Sequence, residues 1–339
     1  MKTVCICGGG SLGHVIAGWL SSKQKAKVNI LTSRPTQWSN TIKIYTPEKE
    51  SLEGEICKIS SVAEEVIPLS DIVLLCVPGF LIKETLLHIK QFLNKDCLVG
   101  CVFSSTGFFF EAKNVLEPNQ PLWGFQRVPF IARVIDYGKS ANLLGFKDSL
   151  NIAVENVSQS EKVEFTNWIE SVFEKPTHLL NNYLEASLTN SNPLLHTSRL
   201  YSLFANRTEP YERMIRFYEE WNDESSDLLV KMDEEFFKLL EKLPVAKGFL
   251  SPILDYYECK DAASLTKKII SIQSFKGIES PMKETINGWI PDFESRYFTE
   301  DFSCGLKYIW SMGKQYNVDM PHLNLVYEWG SRMLNKCCE

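Results

Sequence analysis

The chain has 339 residues, of which 44% are hydrophobic and 12% aromatic, and a formal net charge of −6. That length predicts two domains, and the apolar fraction is ample for a large core, so the chain reads as ordinary globular protein. The negative balance gives no footing for nucleic acid or an anionic lipid surface, and no apolar run approaches the ~18 residues of a membrane span.

An apolar run, Val4-Cys5-Ile6-Cys7, leads into Gly8, Gly10 and Gly13 and then into Val15-Ile16-Ala17-Gly18-Trp19-Leu20. Strand, glycine turn and helix in that order suit a dinucleotide pyrophosphate. Gly8 permits the tight turn, Gly10 lets the backbone approach the phosphates, and Gly13 lets the helix pack closely on the strand. Ser11 and Leu12 open the helix, whose N-terminus offers amide groups and a positive dipole end to an anion. Lys2 and the apolar run superficially resemble a signal peptide, but the glycines interrupt the hydrophobic stretch and no small-residue cleavage site follows.

The second strand covers residues 27–32 and ends in Ser33-Arg34-Pro35. An enzyme for the unphosphorylated cofactor usually carries an acid about 20 residues past the glycines, on the ribose 2′-hydroxyl. This chain has a hydroxyl, Ser33, and a guanidinium, Arg34, whose planar fork matches a 2′-phosphate. The expected cofactor is therefore NADP, with NAD as the alternative. A solvated arginine in a surface turn is the bland reading of Arg34.

Further strands are expected at 41–45 and 55–59, as an antiparallel detour, and at 71–79, which is apolar throughout as in a sheet covered on both faces. Val77 and Pro78 at its end are candidate cofactor contacts. A helix over 80–92 follows, then a buried strand at 97–103 closing in Ser104-Ser105-Thr106-Gly107. Loops at the carboxyl ends of parallel strands are where such sheets bind ligands. Shorter strands are expected at 121–126, 131–136 and 150–154, and a helix at 161–173. Beyond Lys175-Pro176 long amphipathic patterns take over, with helices expected at 182–204, 211–240, 262–272 and 302–316. The fold class is α/β, an N-terminal Rossmann-type doubly wound sheet (1–178) followed by a C-terminal all-α domain (179–339), with the active site expected between them.

The ten cysteines argue against disulfides. Cys5, Cys7, Cys76, Cys97 and Cys101 lie in apolar strand-like runs, where a thiol acts as a small hydrophobe. No Cys-x-x-Cys pair and no Cys/His spacing typical of zinc occurs, so no metal is expected. Cys337 and Cys338 are expected to be exposed at the tail. With no targeting signal, the expected setting is the reducing cytoplasm.

Two segments of the second half carry chemistry: Asn190-Ser191-Asn192-Pro193-Leu194-Leu195-His196-Thr197-Ser198-Arg199 and Ser295-Arg296-Tyr297-Phe298-Thr299-Glu300-Asp301-Phe302. Local reasons alone account for part of both. Asn192 suits an N-cap with Pro193 at the first helical position, and Thr299 suits a cap with Glu300 and Asp301 in the first turn. Together they offer more. A dehydrogenase acting on C=O or C=N must deliver a proton as the hydride arrives, for which His196 is suited. Asp301 can hold the imidazole tautomer, and Arg296 offers a fork for a substrate carboxylate.

These segments, the glycine turn, and Gln126-Arg127-Val128-Pro129 with Arg133 make the chain resemble the opine dehydrogenases, the octopine/nopaline dehydrogenase superfamily. The resemblance spans nearly the whole chain and is most specific at Asn192–His196 and Arg296–Asp301. It implies reductive condensation of an amino acid with a 2-oxo acid by NAD(P)H, through the imine. His196 and Asp301 then match the family's catalytic dyad, and Arg296 its carboxylate-binding arginine, with a helical domain like that of 6-phosphogluconate dehydrogenase. Asn192, Gln126 and Arg133 are further substrate-side candidates. Ser303 stands where family members often have proline, which bears on local pocket shape.

Partners are accordingly small molecules, with neither nucleic acid nor membrane expected and a homodimer admitted. The alternatives are an NADP-dependent reductase of a 2-oxo acid to its hydroxy acid, which needs the same three residues, and a nucleotide-binding sensor without catalysis. Tyr218 with Trp221, and Tyr256 with Tyr257, read more readily as core aromatics than as pocket walls. His14 is expected to touch cofactor or solvent, and His88, His178 and His322 have no evident partners.

Overall fold

The computed structural model describes residues 1–336, so Cys337 and Cys338 lie outside the described residues. These divide into two compact units, 1–187 and 188 onward, separating between Ser187 and Leu188. The boundary expected at 178 thus falls later. The strand after Lys175-Pro176 pairs with its predecessor in the first unit, and a short helix follows it.

In the first unit a glycine turn joins β1 (Thr3–Cys7) to helix α1 (Ser11–Ser22), and β2 (Lys27–Leu31) follows. Next come β3 (Thr41–Tyr45), β4 (Ser51–Glu55), β5 (Lys58–Ser60), α2 (Ala63–Val66), β6 (Ile72–Leu75), α3 (Ile82–Ile89), β7 (Leu98–Cys101) and α4 (Phe108–Val115). The half closes with β8 (Leu122–Phe125), β9 (Phe130–Asp136), β10 (Ser140–Phe146), β11 (Leu150–Glu155), α5 (Gln159–Phe173), β12 (Thr177–Leu179) and α6 (Tyr183–Ser187).

The large sheet has the order β12-β11-β8-β7-β6-β1-β2-β5. It is parallel from β5 across to β8, and β11 runs antiparallel to β8. Alternation sorts its side chains between two cores. Val4, Ile6, Val28, Ile30, Ile72 and Leu74 face α1 and α5, while Cys5, Cys7, Val73, Leu75, Val99 and Cys101 face α2, α3 and α4. Both faces being covered explains why the strands read as continuous apolar runs.

A second sheet, β4-β3-β10-β9, packs against the far side of α1. The detour expected to pair 41–45 with 55–59 instead pairs β3 with β4, and β5 leaves it to extend the large sheet beside β2. Helix α1 is therefore sandwiched, with Gly13 through Leu20 all buried, as befits a helix apolar on every side. Gly18 makes the close approach possible, because a β-carbon there would collide with Ile44.

The second unit contains α7 (Asn192–Phe204), α8 (Asp223–Leu240), α9 (Ile253–Tyr256), α10 (Ala262–Ser271), β13 (Met282–Thr285), β14 (Gly288–Pro291), α11 (Arg296–Thr299), α12 (Lys307–Gln315) and α13 (Pro321–Lys336). It is helical apart from the β13–β14 ribbon. Residues 211–222, expected as the first part of a long helix, are irregular, and α8 begins only at Asp223, capped by Asn222. Among the described residues no helix is long and apolar enough to cross a membrane.

Gly18→Val should overpack the contact between α1 and β3 and cost about 1–3 kcal/mol. A fall in the thermal midpoint of the purified variant checks this, and an unchanged midpoint would contradict the packing described.

Candidate active site

At Gly8 the chain turns with φ 118°, a region that disfavours a β-carbon, and such an atom would also lie 2.7 Å from the Cys76 carbonyl oxygen. At Gly13 a β-carbon would come within 2.5 Å of the Gly8 carbonyl oxygen, so the first turn of α1 sits directly on the glycine turn. Gly10 is different: the nearest obstacle to a β-carbon is 3.9 Å away, so the backbone there faces open space. Gly10 is also the N-cap of α1, and no side chain caps the helix. Uncapped amide groups and the dipole end leave this point fit for an anion.

The turn opens into a cavity of about 570 Å³, a volume suited to a cofactor. Gly8, Gly10, Ser33, Arg34, Val77 and Pro78, all expected at the cofactor, lie in its wall. Ser11, Leu12 and Gly13 support the turn from behind. The Ser11 hydroxyl accepts from the Val134 amide at 3.2 Å, and Leu12 packs on the core. Arg34 is exposed, stands 5.8 Å from the Tyr137 ring, and takes part in no ion pair among the described residues. Tyr137, unmarked in the sequence reading, reaches the turn from between β9 and β10 and lies over Gly9. His88 lines the same cavity from α3.

His14 does not touch cofactor or solvent as expected. It is fully buried, its Nδ1 donates to the Gly10 carbonyl at 3.0 Å, and its Nε2 accepts from the Gly138 amide at 2.7 Å. Burial lowers its proton affinity, which keeps the ring neutral and both bonds intact.

In the helical unit His196 sits on α7, one turn past Pro193, and Nδ1 lies 2.7 Å from Oδ2 of Asp301. The segment bearing Asp301 is not a freshly capped helix. Ser295 is the N-cap of α11, Thr299 bonds back to the Ser295 carbonyl, and a π-turn over Asp301–Leu306 joins α11 to α12. The Glu300 carbonyl accepts from both Cys304 and Gly305, which widens the helix where Asp301 projects. The dyad is mostly enclosed, with side-chain exposures of 12% for His196 and 16% for Asp301.

The other imidazole nitrogen is also engaged: Nε2 accepts from the Tyr218 hydroxyl at 2.9 Å. Tyr218 therefore belongs to the site, whereas the sequence placed it in a core stripe of a helix that does not form there. Tyr297 stands 4.8 Å from the imidazole, ring centre to ring centre, and Phe217 meets it edge-on at 5.6 Å. Burial holds the Tyr218 phenol well above the usual tyrosine range, aided by the neighbouring Tyr297, Tyr257 and Asp301.

The remaining candidates are dispersed. The Arg296 side chain is 73% exposed and pairs with Glu300 at 2.7 Å, one turn along the helix. Asn192 is exposed at the first helical position of α7, with Ser191 rather than Asn192 at the N-cap. Gln126 is committed at both ends of its amide, donating to the Glu185 carbonyl at 2.9 Å and accepting from Asn151 at 2.9 Å. Arg133 lies exposed on β9, bonded to the Ala132 carbonyl. His322 does have a partner, Glu235 at 2.7 Å, which also accepts from the first amides of α13.

Residues 179–334 match the family model of the NAD/NADP octopine/nopaline dehydrogenase α-helical domain. The helical part of the chain therefore carries the α-helical domain of the octopine/nopaline dehydrogenases. The chain is 24% identical to the opine dehydrogenase of Haliotis discus hannai across 98% of this chain and 90% of that one. The tauropine dehydrogenase of Arabella iricolor is 25% identical, across 99% and 92%. Among solved structures, octopine dehydrogenase with NADH and L-arginine superposes with a TM-score of 0.86 at 22% identity, covering 99% of this chain and 90% of that one. Yersinopine dehydrogenase with NADP+ superposes at 0.71 and 14% identity, covering 99% and 91%.

In the helical unit the approach to α7 is pinned by a buried acid. Asp233 on α8 accepts from the Asn190 amide at 2.8 Å and from the Ile253 backbone at 2.7 Å. Burial pushes its carboxyl up to about 6. The folded protein thus binds this proton more tightly than the unfolded chain. The group's contribution to stability is full below the ordinary carboxylate range and is lost as pH rises through about 6. Compared with Asp233→Asn, the wild type should lose roughly 2 kcal/mol of relative stability between pH 4 and pH 7. Chemical denaturation across that range checks the slope, and a rise instead would show that the carboxylate is stabilised in the fold.

Proposed function

We propose that this chain is an NADPH-dependent opine-type dehydrogenase that joins the amine of an amino acid to a 2-oxo acid and reduces the imine to a secondary amine. The observation that carries this reading is the enclosed 2.7 Å pair of His196 and Asp301 within the family's helical domain. The solved octopine dehydrogenase complexes with L-arginine, agmatine and pyruvate support an amine and a 2-oxo acid as the ligands.

When bound, the reduced nicotinamide supplies the hydride for the imine carbon. His196 exchanges the accompanying proton, and Asp301 keeps the hydrogen on Nδ1 and stabilises the imidazolium. Arg296 binds the oxo-acid carboxylate by exchanging Glu300 for it. The guanidinium side chain is 73% exposed and so open to an incoming carboxylate, which has to compete with Glu300, itself only 15% exposed. Asn192 and Arg133 remain substrate-side candidates, while Gln126 acts by holding α6 to the strand edge beside it. Arg34 is assigned to the 2′-phosphate. It is exposed in the cavity wall and has no carboxylate pair among the described residues, and Tyr137 backs it.

The test is cofactor oxidation against a grid of 2-oxo acids, each with and without a panel of amino acids, with product masses read from active wells. Turnover that requires both substrates, with the mass of the reduced condensate, supports the proposal. Turnover with oxo acid alone, giving the hydroxy acid, overturns it. His196→Ala should lower turnover about 10²–10⁴-fold with cofactor affinity retained, and a near wild-type rate would remove His196 from the chemistry. Arg34→Ala should weaken NADPH binding roughly 10–100-fold and leave NADH nearly unaffected. Equal losses for the two cofactors, measured by fluorescence titration, would contradict the phosphate assignment.

A further inference from the structure

The neutral imidazole has one N–H and one in-plane lone pair. Asp301 only accepts, so the hydrogen belongs on Nδ1 and the lone pair on Nε2. That lone pair is already filled by the Tyr218 hydroxyl at 2.9 Å. The phenol is held in place. Its ring stacks on Phe275 at 4.1 Å, the residue is 5% exposed, and Arg199 grips the carbonyls of Phe217 and Glu220 on either side. A proton therefore reaches or leaves Nε2 along the bond to Tyr218.

We propose that Tyr218 is the proton relay of this site, its hydroxyl standing between Nε2 of His196 and the substrate nitrogen. The inference rests on the opine reading above. In the reductive direction the Tyr218 O–H bond breaks as an N–H bond forms on the substrate nitrogen. The Nε2–H bond of the imidazolium breaks as the Tyr218 O–H bond re-forms. The phenol ends unchanged and the ring neutral, and no electrons pass through either residue. Burial keeps the phenol protonated throughout the working range.

Tyr218→Phe separates a relay from a mere support for the ring. With a relay, the variant loses turnover about as far as His196→Ala, roughly 10²–10⁴-fold, and the double variant is no slower than the worse single one. Turnover of Tyr218→Phe within a few-fold of wild type, or multiplicative losses in the double variant, overturns the relay and leaves the opine reading standing. Wild-type protein supplies a second measurement in case the variant misfolds. Single-turnover rates in mixed light and heavy water should bow with deuterium content, as two protons in flight require, and a straight line overturns the relay. Nitrogen NMR of the ligand-free protein, at a pH where the ring is neutral, should show Nδ1 protonated and Nε2 as a hydrogen-bonded acceptor. The reverse tautomer would also overturn it. Wild type that never requires an amine for turnover defeats the opine reading itself, and the relay to a substrate nitrogen with it.

Discussion

The arrangement of the helical unit hangs on a buried guanidinium. Arg199 on α7 is 1% exposed, and a charge taken out of water is tolerated only when its donors are satisfied. It meets this need with the carbonyls of Phe217 at 3.0 Å and Glu220 at 2.5 Å and the hydroxyl of Ser225 at 3.2 Å. Burial pulls the group down to about 10, so it stays charged at neutral pH, helped by Tyr211, Glu220 and Glu224. Residues 211–222 have no helix of their own to fix them. Arg199 fixes them from α7, with Ser225 continuing the contact into α8, while backbone pairing with Ile278, Ser280 and Trp289 holds their other side. His196 lies three residues before Arg199 and so shares its face of α7. The side chain that orders the irregular segment thereby also brings Tyr218 to the imidazole.

A comparable tie orders the nucleotide turn in the first unit. His14 joins the Gly10 carbonyl to the Gly138 amide, linking the glycine turn to the turn between β9 and β10. Its ring lies 4.2 Å from Trp38 and 5.1 Å from Tyr137, so the residues around the turn form one packed cluster. The second sheet thus does more than cover α1. It sets Tyr137 over Gly9 and beside Arg34, giving the cavity a wall that the large sheet alone does not provide. A neutral histidine suits this place, because a protonated ring would confront the Gly138 amide with a second donor.

The large sheet was legible because burial on both faces writes itself as unbroken apolar runs, and the glycine turn because φ and close approach at Gly8 and Gly13 admit little else. The second sheet was only half legible. Residues 140–146 carry Asn142 and Gly145, which mask β10, and pairing of residues 41–45 with 51–55 rather than 55–59 depends on a turn that hydrophobic pattern does not specify. The helix expected at 211–240 failed in its first part because Phe217, Tyr218 and Trp221 have helical spacing, yet their segment is organised by a long-range partner, Arg199. Arg199 itself stood in the segment singled out around His196, but an arginine in a helix reads as surface until a buried acceptor set is seen. The pairing of His196 with Asp301 was anticipated from the resemblance. The π-turn that presents Asp301 left no local signal beyond Gly305, which lies against Pro193.

That turn also decides between two adjacent acids. Glu300 and Asp301 are equivalent as sequence, but successive helical residues point about 100° apart. Glu300 lies one turn from Arg296 and takes its guanidinium at 2.7 Å, while Asp301 faces α7 and takes His196. The separation has a chemical consequence. A carboxylate shared between arginine and imidazole would be partly neutralised and would hold the imidazolium less strongly. Keeping Arg296 on Glu300 leaves the full charge of Asp301 for one nitrogen of His196. It also leaves the exposed Arg296 paired outside the dyad, where an incoming carboxylate can reach it without disturbing His196 and Asp301.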